Sequence, residues 1–491
     1  MKKITLLGGW LGCCLVAASA DVIRIPGKIE QRVELPGEFS CRVSFDLASR
    51  PASRTAVAQI SVPFQFSGAG YPILRLFVPE RTGAERFVAA VTPNTAQPAA
   101  IFNITDYFND SALVGRVVFV VQSVLGPQNS IHLTPGQDVA LTVNTEAMPR
   151  YGFGEMLAPI WLGRRMVNEI VLPVSSEGGR AEGRLLFSPT GKPVVRNYSL
   201  DKTYAPGVDY VIEGNVLRLT ANSTIPFLTE KQLYPDSADG SLPTTKTWDG
   251  KYIVSGEGFF NERQLAITYD HSETWRGPVP SVGEGKLRQT KEKLRLGLPL
   301  KVVLLGDSIS TGASASGRAG KPPFVPGWGD LLMQGLRNTS LSPITFVNVS
   351  RGGGSAGWGR KLAPYAVVPE KPDLCIIAFG INDGNSTPTK TYLDNMKAII
   401  ELVIGERPDA EFILVASMLR NERWRPLSPM NTYLSALKTL ESDRIAVADV
   451  WSMSEHLLKT KRYCDIGSLN HPNDFMVRVY AQTVAALLLK E

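Results

Sequence analysis

The feature that most constrains this chain is a set of short, almost wholly apolar runs in its C-terminal part: Lys301 to Leu305, Ile344 to Val349, Leu374 to Phe379, Phe412 to Ala416 and Ile445 to Val450. A strand that is apolar on both faces needs a sheet covered on both sides, which is the setting of a parallel sheet. Helical segments lie between the runs at Trp328 to Arg337, Tyr392 to Ile404 and Met430 to Leu440, and Phe475, Val479, Thr483 and Leu487 form one stripe near the end of the chain. Strand alternating with helix predicts a doubly wound α/β domain over residues 298–491.

Upstream the pattern changes. From residue 21 to 148 short β-type runs (Val57 to Phe66, Ile73 to Val78, Val117 to Val124, Val139 to Val143) alternate with Gly, Pro, Asn and Asp, which predicts an all-β, sandwich-like or jelly-roll-like region. A second β-rich stretch, 149–275, contains Glu169 to Val174, Arg184 to Phe187, Tyr210 to Glu213 and Val216 to Leu219. The runs alone leave open whether it is a separate domain or continues the first. Residues 276–297, with Pro278, Pro280, Gly283, Gly285 and a charged stretch through Lys293, read as a linker. The fold class is therefore multidomain, an all-β half followed by an α/β domain.

Residues 1–20 have the layout of a secretory signal: Lys2 and Lys3, an apolar run from Ile4 to Ala17, then Ala18-Ser19-Ala20. Cleavage after Ala20 predicts a secreted or periplasmic protein, and no later stretch is apolar and long enough to span a bilayer. The 491 residues carry 52 basic and 46 acidic side chains, a net +6 with no Lys/Arg run suited to a phosphate backbone, so nucleic acid is not an expected partner. Beyond the signal only Cys41, Cys375 and Cys464 remain, too few for a disulfide framework; Cys375 reads as a core residue, Cys464 as packed or mildly reactive. The four histidines, His132, His271, His456 and His471, are scattered without His-Glu-x-x-His spacing, so neither a metal nor another cofactor is expected.

Chemistry in a doubly wound sheet collects at the carboxyl ends of its strands. The first apolar run ends in Gly306-Asp307-Ser308, the second in Asn348-Val-Ser-Arg followed by Gly352-Gly353-Gly354, and the third in Gly380-Ile381-Asn382-Asp383; His471-Pro472-Asn473-Asp474 precedes the last helix. Serine needs a base to become a nucleophile, and histidine has the pKa for that task near neutrality. Acyl transfer also develops an oxyanion that fixed N–H donors must meet. A donor beside Ser308, one from Gly353 and the Asn382 side-chain amide meet that need. Asp307 and Asp383 read as residues that hold these loops together, and Asp474 as one that stabilises the start of the last helix.

Over residues 298–491 these blocks resemble the SGNH (GDSL-type) hydrolases. The resemblance implies a flavodoxin-like three-layer fold and a metal-free esterase in which Ser308 attacks, His471 is the base, and Ser308, Gly353 and Asn382 form the oxyanion hole. The family places an aspartate three residues before the histidine, where this chain has Ser468. Asp465 is the nearest upstream carboxylate; either it or a backbone carbonyl orients His471.

A secreted domain of this type behind β-rich modules resembles the carbohydrate esterases of that family, which remove O-acetyl groups, and the implied partner is an acylated, chiefly acetylated, carbohydrate. Trp358 and Trp424, near the second and fourth strand ends, suit either sugar stacking or packing. The alternatives are a lipase, lysophospholipase or thioesterase, which needs an apolar acyl channel, and a glycan-binding module with a decayed catalytic domain. The Gly, Ser and Ala content of the loops after Ser308 and Gly354 weighs against the first. The intact serine, glycine, asparagine and histidine weigh against the second.

Overall fold

Side-chain alternation builds the N-terminal region, because successive residues of a strand face opposite sides of its sheet. Phe39, Cys41, Val43 and Phe45 of one strand and Ala58, Ile60, Val62 and Phe64 of another are buried in a single core. The two strands belong to different antiparallel sheets. One runs Val22–Pro26, Ala140–Ala147, Thr55–Ser67, Ala99–Asn103, with Ser130–Leu133 also on Thr55–Ser67; the other runs Lys28–Leu35, Glu38–Leu47, Gly115–Val124, Leu74–Pro79, Glu85–Val91. The computed structural model describes residues 22–489 except 48–54, 69–71, 81–84, 94–98, 111–114, 125–127, 148–150, 239 and 282–284. The segment read as a signal lies outside the described residues.

The C-terminal sheet consists of β1 (Leu300–Gly306), β2 (Ile344–Asn348), β3 (Leu374–Ala378), β4 (Glu411–Ala416) and β5 (Ile445–Asp449) in the order 2-1-3-4-5. Every pairing in it is parallel. All of β3 and β4 is buried, as apolar runs of that kind require. Five α-helices follow these strands: α1 (Trp328–Thr339), α2 (Ala356–Ala366), α3 (Thr389–Glu406), α4 (Tyr433–Lys438) and α5 (Val450–Leu458); α6 (Asp474–Leu488) ends the domain. α1 and α5 pack on α6, whereas α2 packs on α3 and α3 on α4. The strand order reverses after β2, and where crossovers are right-handed such a reversal puts successive groups of helices on opposite faces.

The middle region answers the question the sequence left open. It forms a three-stranded sheet (Arg165–Val171, Leu265–His271, Pro189–Asn197) and a five-stranded sheet of shorter strands. Its buried residues, among them Met166, Ile170, Val195 and Ile267, belong to the same core as β1 to β5, whereas the N-terminal strands keep a core largely their own. That shared core changes the last helix. The sequence shows one apolar stripe, but α6 is buried nearly all round, because the middle region covers the face turned away from the sheet. Its polar residues find partners there: Arg478 donates to Val167 O, Gln482 donates to Met156 O and Ala158 O, and Ile160 N–H donates to Gln482 Oε1.

Residues 276–297 need correction as a linker, since Arg288–Leu296 is a helix. Leu287, Thr290 and Leu294 are buried on one side of it, a helical spacing hidden among basic residues. Helix α2 was not expected either, because Gly357, Gly359 and Pro364 interrupt its pattern. Cys41, Cys375 and Cys464 are separate, buried thiols, and desolvation raises the pKa of each.

Candidate active site

β1 delivers Ser308 two residues beyond its last residue, at the start of a turn that only a glycine-led strand end permits. A Cβ on Gly306 would lie 2.6 Å from Ala378 O at the end of β3. The turn is fixed by Asp307 Oδ1, which accepts from Ile309 N–H at 3.0 Å, and by Ala313 N–H, which donates to Ser308 O at 3.0 Å. Ser308 is 8% exposed. With the ring proton on Nδ1, its hydroxyl donates to His471 Nε2 at 2.8 Å.

The glycine loop after β2 is tied to the serine loop at both ends. Asn348 Nδ2 donates to Ser310 O at 2.8 Å, and Arg351 N–H donates to Gly306 O at 3.0 Å. Gly352 and Gly353 are exposed, with Gly353 at φ +75°, a conformation that glycine adopts without cost. The third loop locks onto this one. Asn382 Nδ2 donates to Gly354 O at 2.8 Å, and Ala356 N–H donates to both carboxylate oxygens of Asp383. One N–H of the Asn382 amide is thereby held, which aims the other. Among the described residues neither the Ser308 nor the Gly353 N–H donates to a backbone carbonyl, so both can serve a substrate oxygen.

Burial sets the charge state around this core. Desolvation pushes Asp307 up to about 7, opposed by the Ile309 N–H and by the nearby His471. Desolvation also pushes Asp383 up to about 6 against the Ala356 N–H. Asp474 is likewise raised to about 6 by burial, with Ser316 N–H donating to its Oδ1 at 2.9 Å. These three carboxyls join loops: serine loop to itself, third loop to α2, and α6 to the segment after Ser308.

Asp465 is fully buried in the turn that leads to His471. Leu172 N–H donates to its Oδ1 at 2.7 Å and Arg462 N–H to its Oδ2 at 2.9 Å. Each carboxylate oxygen thus holds one backbone N–H, one from the middle region and one from its own turn. Asn473 Nδ2 then donates to Asp465 O at 2.8 Å, so this buried turn fixes the segment that carries the histidine.

The histidine segment is held by a network that the sequence did not disclose. Lys461 and Glu169 form an ion pair with both side chains 0% exposed. Glu169 also accepts from Tyr269 O–H and Leu186 N–H, and Lys461 also donates to Arg184 O. Gln264 Nε2 donates to Cys464 O at 2.6 Å, and Asp474 N–H donates to Tyr198 Oη at 3.3 Å. A charged residue inside the apolar run around Glu169 was the one available signal; its partner lies 292 positions away. The N-terminal region reaches the second loop as well, where Thr92 Oγ1 donates to Val349 O at 3.1 Å.

Residues 304–478 match the family described as GDSL-like Lipase/Acylhydrolase. An arylesterase of Vibrio mimicus is 31% identical over 104 residues, which are 21% of this chain and 48% of that protein; the chain thus spans about half the length of this curated relative. Among solved structures, the acetylxylan esterase Axe2 of Geobacillus stearothermophilus is 19% identical, with 38% of this chain and 93% of that chain covered and a TM-score of 0.32. A two-domain esterase active on acetylated mannans is 17% identical, with 43% and 52% covered and a TM-score of 0.34.

Proposed function

Because residues 304–478 match the GDSL-like lipase/acylhydrolase family, we propose that this protein is a serine carboxylic ester hydrolase acting on O-acetyl groups of carbohydrate. The observation that carries the reading is the 2.8 Å contact between Ser308 Oγ and His471 Nε2. Ser308 Oγ attacks the ester carbonyl while its proton passes to His471 Nε2. The oxygen that becomes negative is met by the Ser308 and Gly353 N–H groups and by the Asn382 amide. Collapse breaks the bond to the sugar oxygen, which takes the proton from His471 and leaves as a hydroxyl. Water then attacks the acetyl-serine, His471 takes its proton and returns it to Ser308 Oγ, and acetate departs.

A short acyl group is supported by the exposed, side-chain-free Gly352 and Gly353 beside the nucleophile. A carbohydrate carrier is supported by the β-rich regions packed around the catalytic segment. The signal-like residues 1–20 support export, and no helix among the described residues is long and apolar enough to cross a membrane.

The test is hydrolysis of acetylated xylan, mannan, pectin and sialic acid beside short- and long-chain nitrophenyl esters, with Ser308→Ala as the control. Acetyl esters should be preferred, and Ser308→Ala should lose several orders of magnitude of rate. Retention of more than about a tenth of the activity would remove Ser308 as nucleophile. Preference for long-chain esters would favour a lipase.

A further inference from the structure

The middle region also supplies a side chain to the rim of the catalytic face. A hairpin, Thr244–Lys246 with Tyr252–Val254, closes through residues 247–251. Its turn is firmly built: Thr247 N–H donates to Lys251 O at 2.8 Å, Gly250 N–H donates to Thr247 O at 3.1 Å, and Thr247 Oγ1 donates to Asp249 Oδ1 at 2.6 Å. At its tip Trp248 is 64% exposed. An indole carries a large apolar area, and this hydrogen-bonded turn holds it outward in a fixed position.

The turn is attached to the catalytic loops. Trp248 N–H donates to Trp424 O at 3.1 Å. Trp424 belongs to the loop that follows β4, at the carboxyl end of the sheet where substrates bind. In that loop Asn421 N–H donates to Leu469 O at 2.7 Å, two residues before His471, and Arg420 donates to Gly384 O and Asn385 Oδ1, just beyond Asn382. Trp424 itself is half-buried, with the Arg425 guanidinium 5.0 Å from its ring centroid. Trp248 therefore offers the open aromatic face, held by its backbone to the loop that carries Trp424.

We propose that Trp248 is a sugar-stacking subsite that binds a pyranose ring of the same glycan chain at a distance from the acetylated residue. This rests on the esterase reading of Ser308 and His471 for its biological use, but not for its test. A pyranose presents C–H groups on its face and hydroxyls at its rim, which matches an exposed aromatic ring in a turn that also carries Asp249 and Lys251. A protein or lipid partner would call for a contiguous apolar patch, and this turn is polar on both sides of its one indole.

The experiment compares parent, Trp248→Ala and Trp248→Phe in two measurements. In the first, kinetics are run on nitrophenyl acetate, which has no sugar ring to stack, and on an acetylated xylan or mannan hexasaccharide. Trp248→Ala should raise KM for the hexasaccharide about tenfold with kcat unchanged, Trp248→Phe should restore most of the affinity, and nitrophenyl acetate should not distinguish the three. In the second, calorimetry measures binding of the deacetylated hexasaccharides, which needs no turnover. Affinity for at least one of them should be lost with Trp248→Ala and kept with Trp248→Phe. If Trp248→Ala changes hexasaccharide KM and binding less than twofold, or harms nitrophenyl acetate turnover equally, the subsite is refuted. A parent that hydrolyses neither ester yet binds a hexasaccharide through Trp248 would refute the esterase reading and leave the subsite standing.

Discussion

Replacing Glu169 with glutamine should unsettle the protein more than any single change at its surface. Glu169 and Lys461 are both fully buried, and the carboxylate also accepts from Tyr269 and Leu186. The amide keeps the shape but removes the charge, leaving an ammonium in a dry interior, and removing one partner of such a pair costs about 3–5 kcal/mol. For a cooperative unit as large as the middle and C-terminal regions together, that corresponds to a melting temperature lower by roughly 5–15 °C. Lys461 opens the segment that ends in His471, so short-ester turnover should fall in step as temperature rises. The assay is urea denaturation followed by tryptophan fluorescence, with initial rates measured across the same conditions. Adding Lys461→Met to Glu169→Gln should recover a large part of the loss, since no unpaired charge remains. A single variant within about 1 kcal/mol of the parent, or a double variant as unstable as the single one, would refute the argument that this buried charge pair holds the histidine segment.

Asn382→Ala should lower kcat on nitrophenyl acetate about 10²–10³-fold with little change in KM, because its amide works only as charge develops; a raised KM at constant kcat would make it a ground-state contact. Asp465→Asn should cost about 1–3 kcal/mol of stability, because one backbone N–H would lose its acceptor. Its rate per folded molecule should stay within about tenfold of the parent; a hundredfold fall at unchanged stability would make Asp465 the acid behind His471. Asp474 has a folded pKa near 6, above the roughly 3.9 of an unfolded aspartate. The folded state therefore holds its proton more tightly, and the stability this group contributes is complete below about pH 4 and lost as pH rises to about 6. Asp474→Asn should remove that slope, so variant-minus-parent stability should rise by about 3 kcal/mol between pH 4 and pH 7 in denaturation series. A difference that stays flat with pH would refute the assignment.

Sequence alone determined what depends on local pattern. Apolar runs such as Leu374 to Phe379 specify a sheet buried on both faces, and Gly306-Asp307-Ser308, Gly353, Asn382 and His471 follow because chemistry must sit where such strands end. The alternation of Phe39 to Phe45 was equally available, although the edge strand Lys28–Leu35 was not, since its exposed side chains carry charge instead of a pattern. Tertiary structure decided what depends on distant pairs. Nothing local in Asp465 tells whether it faces His471 or the Leu172 amide, and nothing in Lys461 names Glu169 as its partner. The burial of α6 on every side, the helix within the supposed linker and the placement of Trp248 beside Trp424 have the same origin. Desolvation and hydrogen bonding act on whatever lies next to a group in space, and only the folded chain decides which neighbour that is.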